Sequence, residues 1–111
     1  MSTFSNRDIH LFDTFVAGVT YLEDKHVLQE VRPGDELALR REGSHMDSAT
    51  ILLFAPDGRK VGYVPARDRE IFIRLLDAGK TLKVGISKID RSEEWVKINI
   101  GVYLSVQESG A

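Results

Sequence analysis

The sequence predicts a mainly β domain, a compact barrel or sandwich of about six strands with one or two helices, from three observations. Apolar residues recur mostly at every second position, as alternation across a strand requires. Turn-forming residues interrupt these runs at short intervals. Only residues 67–78 carry a clear helical period that ends in a stop signal.

The elements follow in order. From Asp13 to Tyr21, Phe15, Ala17, Val19 and Tyr21 alternate with smaller residues, which predicts a strand. Leu22, Val27, Leu28 and Val31 have the spacing of a short helix over 22–31, stopped by Pro33-Gly34. Residues Glu36 to Arg40 place Leu37 and Leu39 on one face of a half-buried strand, and Thr50 to Phe54 is an apolar run suited to the core. Pro56-Asp57-Gly58 joins that run to a strand over Lys60 to Val64, because proline presets φ and glycine reaches positive φ. Arg67 to Ala78 aligns Ile71, Phe72, Leu75 and Leu76 on one helical face, and Gly79 can end the helix. Thr81 to Ile89, with Leu82, Val84 and Ile86 in phase, and Trp95 to Leu104 are the last two strands. In the latter, Val96, Ile98, Ile100, Val102 and Leu104 share one face, leaving Trp95, Lys97, Asn99, Gly101 and Tyr103 on the other.

The chain has 111 residues, 42% hydrophobic and 29% charged, which suits one soluble domain with a real core. We divide it into an extension over 1–12, the domain over 13–105 and a tail over 106–111. It has no cysteine, so a disulfide framework and a thiolate zinc site are both excluded. Residues 1–12 read as neither an export signal nor a membrane anchor, so a cytoplasmic location is expected, with no membrane partner. A net charge of −2 argues against a broad electrostatic grip on nucleic acid, so any such site must be local.

The outward face of the last strand has two readings. Trp95 and Tyr103 can stack on bases with Lys97 near phosphate, or they can cover a helix or a neighbouring strand. Pattern alone favours packing. The basic residues Arg40-Arg41, Arg59-Lys60, Arg67-Arg69-Arg74 and Lys80-Lys83 are interspersed with acids, so most belong to a mixed solvated surface. His10, His26 and His45 lack metal-ligand spacing, the acidic pairs come with no nucleophile motif, and no P-loop is present. We therefore expect no enzyme activity, no metal and no cofactor.

Several segments together resemble the HIRAN domain family: residues 15–21 (Phe-Val-Ala-Gly-Val-Thr-Tyr), 31–37 (Val-Arg-Pro-Gly-Asp-Glu-Leu), Arg41-Glu42, Asp47, Thr50-Ile51, Asp57-Gly58 and Val61-Gly62-Tyr63-Val64. The chain looks like the stand-alone bacterial form. The resemblance implies a small OB-like or SH3-like β-barrel that binds single-stranded DNA in the setting of repair and fork processing. In the best understood branch it also encloses the free 3′-hydroxyl end. It further implies that Tyr21 and Trp95 stack on bases, with Tyr63 after the family's Val-Gly pair. Asp47 accepts a hydrogen bond from the terminal hydroxyl, and Arg41 and Arg67 neutralise phosphates. Met46 stands where the family has a binding tyrosine, Thr20 where end-binding members carry arginine, and Ala66 in place of a lysine. The alternative is a protein-interaction or self-associating module of the same fold, using its Trp95/Tyr103 face; the sequence leaves the oligomeric state open.

Overall fold

The computed structural model describes residues 8–22, 24–43 and 49–106. They form strands β1 (Ile9–Phe15), β2 (Glu36–Glu42), β3 (Thr50–Phe54), β4 (Lys60–Tyr63), β5 (Thr81–Arg91) and β6 (Val96–Ser105). A 3-10 turn spans Val19–Tyr21, and the helices are α1 (Val27–Glu30) and α2 (Ala66–Asp77). The strands make a six-stranded antiparallel sheet in the order β1-β6-β5-β2-β3-β4. The sheet curls without full closure, and its two edges meet at an isolated bridge between Ala17 and Tyr63. The Ala17 N–H donates to the Tyr63 carbonyl at 2.8 Å, and the Tyr63 N–H returns a bond to Ala17 at 3.0 Å.

Alternation puts the core inside the curl. Ile98, Ile100 and Val102 of β6 are fully buried with Ile51 and Leu53 of β3, Val84 of β5 and Phe72 and Ile73 of α2. Burying an aliphatic or aromatic side chain of this size contributes about 1.5–3 kcal/mol, so this cluster dominates the stabilisation. Phe12 meets Phe72 edge-on, with ring centroids 5.9 Å apart, which docks α2 on β1. Thr14 is buried, and its hydroxyl donates to Asp68 Oδ2 at 2.6 Å, so the start of α2 is pinned to the same strand. No helix among the described residues is long and apolar enough to cross a membrane.

The predicted β3 coincides with the observed one, while β4, β6 and α2 agree to within about a residue at each end and β5 extends further. The first strand differs. It starts at Ile9 and stops at Phe15, its buried position is Thr14, and Val16 just beyond its end is buried too, rather than Phe15, Ala17, Val19 and Tyr21. Gly18 takes φ 79°, which ends the extended path and opens the 3-10 turn. The helix expected over 22–31 shrinks to one turn, because the Asp24 carboxylate accepts the His26 N–H at 3.0 Å and so favours a turn. Val27, Leu28 and Val31 still reach the core.

Candidate nucleic-acid interface

Two glycines shape the seam where the sheet edges meet. A Cβ on Gly62 would lie 2.4 Å from the Ala17 carbonyl oxygen and 2.5 Å from a Val16 methyl, so only glycine lets β4 approach this closely. A Cβ on Gly18 would lie 2.2 Å from the Tyr63 ring, so that ring rests on bare backbone. The Phe15-to-Tyr21 and Val61-to-Val64 landmarks, far apart in sequence, are thus the two sides of one junction.

The seam exposes one aromatic and positions another. The 3-10 turn closes through the Tyr21 N–H donating to the Gly18 carbonyl at 3.1 Å, and leaves the Tyr21 side chain 85% exposed. Tyr21 lines a hollow of about 430 Å³ with Leu22, Asp24, Arg59 and Lys60. Tyr63 lines a neighbouring one of about 380 Å³ with Thr50, Leu52, Lys60, Ala66 and Arg69. Both volumes fall in the usual range of small-ligand sites, about 300–1,000 Å³. Lys60 belongs to both hollows and joins them.

Register explains this grouping. Arg40, Leu52 and Tyr63 stand opposite one another across β2, β3 and β4, and directly opposed residues share a face. A bulge between Leu53 and Phe54 brings Lys60 opposite Phe54, onto that same outer face.

Carboxylates surround the arginine beside Tyr21. Arg59 donates from Nε and Nη2 to Asp57 Oδ2 at 2.9 and 2.7 Å, pairs with Glu30, and lies 3.5 Å from Asp24. The Arg59 hydrogen bonds hold the Asp57 carboxyl below its ordinary value, and the same carboxylates raise Arg59 above its own. Arg59 is therefore committed to protein acids, and Lys60 is the exposed cation between the two tyrosines.

The other expected site residues lie elsewhere. Arg41 stands opposite the fully buried Ile51, on the inner face, and its guanidinium contacts Asp77 of α2 at 2.5 Å. Arg67 lies at the start of α2 with its guanidinium 5.2 Å from the Phe15 ring centroid, two residues and so about 200° around the helix from Arg69. Trp95 sits in the β5–β6 turn, 52% exposed, its N–H donating to Ser92 Oγ at 3.2 Å. It lines a third hollow with Val19, Thr20, Lys25, Leu28 and Arg91, so Tyr21 and Trp95 flank the 3-10 turn in separate hollows. Tyr103 lies eight residues beyond Trp95, about 27 Å along a strand, with its ring 5.2 Å from that of His10. The two aromatics therefore do not share one patch. Asp47 and the neighbouring Ser44, His45 and Met46 lie outside the described residues; their segment joins Gly43 to Ala49, next to Thr50 of the Tyr63 hollow.

Lys60 and Arg69, which the sequence placed among basic residues of a mostly solvated mixed surface, and the two seam glycines are the site members not expected from the sequence. The Gly-Val-Thr-Tyr and Val-Gly-Tyr-Val patterns carried the signal for the glycines. Nothing local marked Lys60, because the bulge that turns it outward depends on its partner strand.

Comparison with known proteins agrees with this architecture. The HIRAN domain model matches residues 9–107, nearly the whole chain, and the protein belongs to that family. The family points to nucleic-acid binding in general. A crystal structure of a protein from Lactobacillus plantarum has the same fold, with a TM-score of 0.76 and 22% identity over 87% of this chain and 94% of that one. No curated protein matches the chain.

Proposed function

We propose that the chain is a non-catalytic module that binds single-stranded DNA across the Gly18–Gly62 seam and takes the free 3′-hydroxyl end beside the 44–48 segment. The observation that carries this reading is the convergence of Tyr21 and Tyr63 on one outer face with Lys60 between them. An exposed tyrosine ring stacks on any base, with roughly 1–3 kcal/mol per base, so the site needs no particular sequence. Lys60 and Arg69 neutralise backbone phosphates. Asp47 accepts the terminal hydroxyl, a role carried over from the family resemblance, whereas a 3′-phosphate there meets like charge. In this reading the protein acts in the cytoplasm on DNA ends that arise during repair.

Fluorescence anisotropy with 5′-labelled oligonucleotides ending in a 3′-hydroxyl or a 3′-phosphate tests it. The intact protein should prefer the hydroxyl, Asp47→Ala should bind both ends alike, and Tyr21→Ala should weaken both. Equal, feeble binding to the two ends by the intact protein would remove end capture. No binding even at low salt would remove the DNA reading and leave a protein-interaction module, for which the half-exposed Trp95 is the natural anchor.

A further inference from the structure

We propose that the hollow around Phe15 is a second phosphate subsite, where the backbone of a bound strand continues after crossing the first turn of α2. This rests on the reading of the seam as a single-strand site.

Two cations from different elements converge on the Phe15 ring of β1. Arg67 of α2 places its guanidinium 5.2 Å from the ring centroid, and Lys97 of β6 places its ammonium 5.6 Å away. The ring attracts each cation, but the cations repel each other, and an anion between them relieves that repulsion. The acids nearby have partners of their own. Asp90 takes Lys88 Nζ at 3.2 Å and Asn99 Nδ2 at 3.0 Å, and it also stands opposite Lys97 across β5 and β6 and so offsets part of that charge; Asp13 pairs with His10 at 2.7 Å, and Asp68 accepts the Thr14 hydroxyl. Asp68 also lies 3.5 Å from Arg67 Nε, a long contact that leaves the Arg67 side chain 68% exposed. The hollow holds about 410 Å³ and is lined by Phe15, Arg67, Lys88 and Lys97 along with Asp13 and Asp90.

Its position adjoins the seam. Phe15 lies two residues before Ala17, which is bridged to Tyr63, so the hollow borders the same junction from the β1 side. The first turn of α2 divides the two sites: Ala66 and Arg69 line the Tyr63 hollow, and Arg67 lines this one. A strand stacked on Tyr21 and Tyr63 that leaves over Ala66 meets Arg67 and Lys97 next. A polyanion with regularly repeated charge fits this run of separated cations better than an acidic peptide does.

The test compares a 5′-labelled thymidine decanucleotide with a thymidine dinucleotide, each with a free 3′-hydroxyl, over a salt series, using the intact protein, Arg67→Gln, Lys97→Gln and Tyr21→Ala. Both basic side chains are exposed, and matched thermal melts check that the variants fold. Each basic substitution should weaken decanucleotide binding by about fivefold at 0.1 M salt and reduce the log–log salt slope by about 0.7, the size of one phosphate contact on a single strand. Dinucleotide binding should not change. If Arg67→Gln and Lys97→Gln bind the decanucleotide as the intact protein does while Tyr21→Ala loses it, the subsite is wrong and the seam reading stands. If the intact protein binds neither oligonucleotide, both fall. Binding of polyglutamate that is lost in Arg67→Gln, with DNA binding unaffected, would assign the hollow to an acidic peptide instead.

Discussion

Tyr21 and Tyr63 reach the same surface by different means. Tyr21 is thrown outward by a 3-10 turn that a positive-φ glycine starts, while Tyr63 is held by backbone pairing with Ala17 and lies on Gly18. Their substitutions should therefore separate binding from folding. Tyr21→Ala should lower single-strand affinity by about 1–3 kcal/mol and leave the melting temperature unchanged, because an exposed ring contributes little to the core. Parallel anisotropy and thermal melts check this. At this scale the sequence was informative only in part. Tyr21 was legible because it follows a glycine in a strand-like run. Arg69 was not, since Arg67 and Arg69 look equivalent until the docking of Thr14 on Asp68 fixes which side of α2 faces which hollow.

At the scale of elements, the seam is a fit between two backbones. Gly62→Ala puts a methyl against the Ala17 carbonyl and should cost about 1–3 kcal/mol as overpacking, read by chemical denaturation, and should weaken DNA binding by displacing Tyr63. A second device lies next to it. Arg59 links the β3–β4 turn through Asp57 to α1 through Glu30 and to Asp24, three residues after Tyr21. If this network positions the Tyr21 segment, Glu30→Gln should weaken DNA binding even though it removes a negative charge near a phosphate site. Tighter binding by Glu30→Gln would show that bulk electrostatics outweighs positioning. The network also sets a pH dependence. Because the folded Asp57 carboxyl is held below its ordinary value of 3.8, its contribution is complete above that value and is lost as pH falls through the lower folded pKa. Asp57→Asn should flatten the acid side of a plot of melting temperature against pH. Strands such as β5 and β6 were legible because their own alternation defines them, whereas the seam depends on partners some 45 residues apart and leaves no periodic trace.

For the whole molecule, the fold class followed from patterns that recur along the chain, and alternation assigns the buried face of β6; on α2, Phe72 is buried as the helical period predicts, but Ile73 is its fully buried neighbour while Ile71, expected on that face, is 46% exposed. The mouth of the site was less legible, because its members come from the 3-10 turn, β4 and α2. With a net charge of −2, binding rests on a few local cations rather than on a broad basic surface. With Lys60 and Arg69 at the seam and Arg67 and Lys97 beyond it, about two to four phosphates are neutralised, so the log–log salt slope should lie near −1.4 to −2.8. A much steeper slope would require cations that this account does not use.

The central claim, that a single strand lies across the Gly18–Gly62 junction, is tested most directly by following backbone amide resonances of labelled protein as a short single-stranded oligonucleotide with a free 3′-hydroxyl is added. The account predicts shifts concentrated at residues 17–22 and 60–69, with the far ends of β1 and β6 unmoved. Shifts confined to the Ile9 and Tyr103 region, or none at saturating DNA, would contradict it.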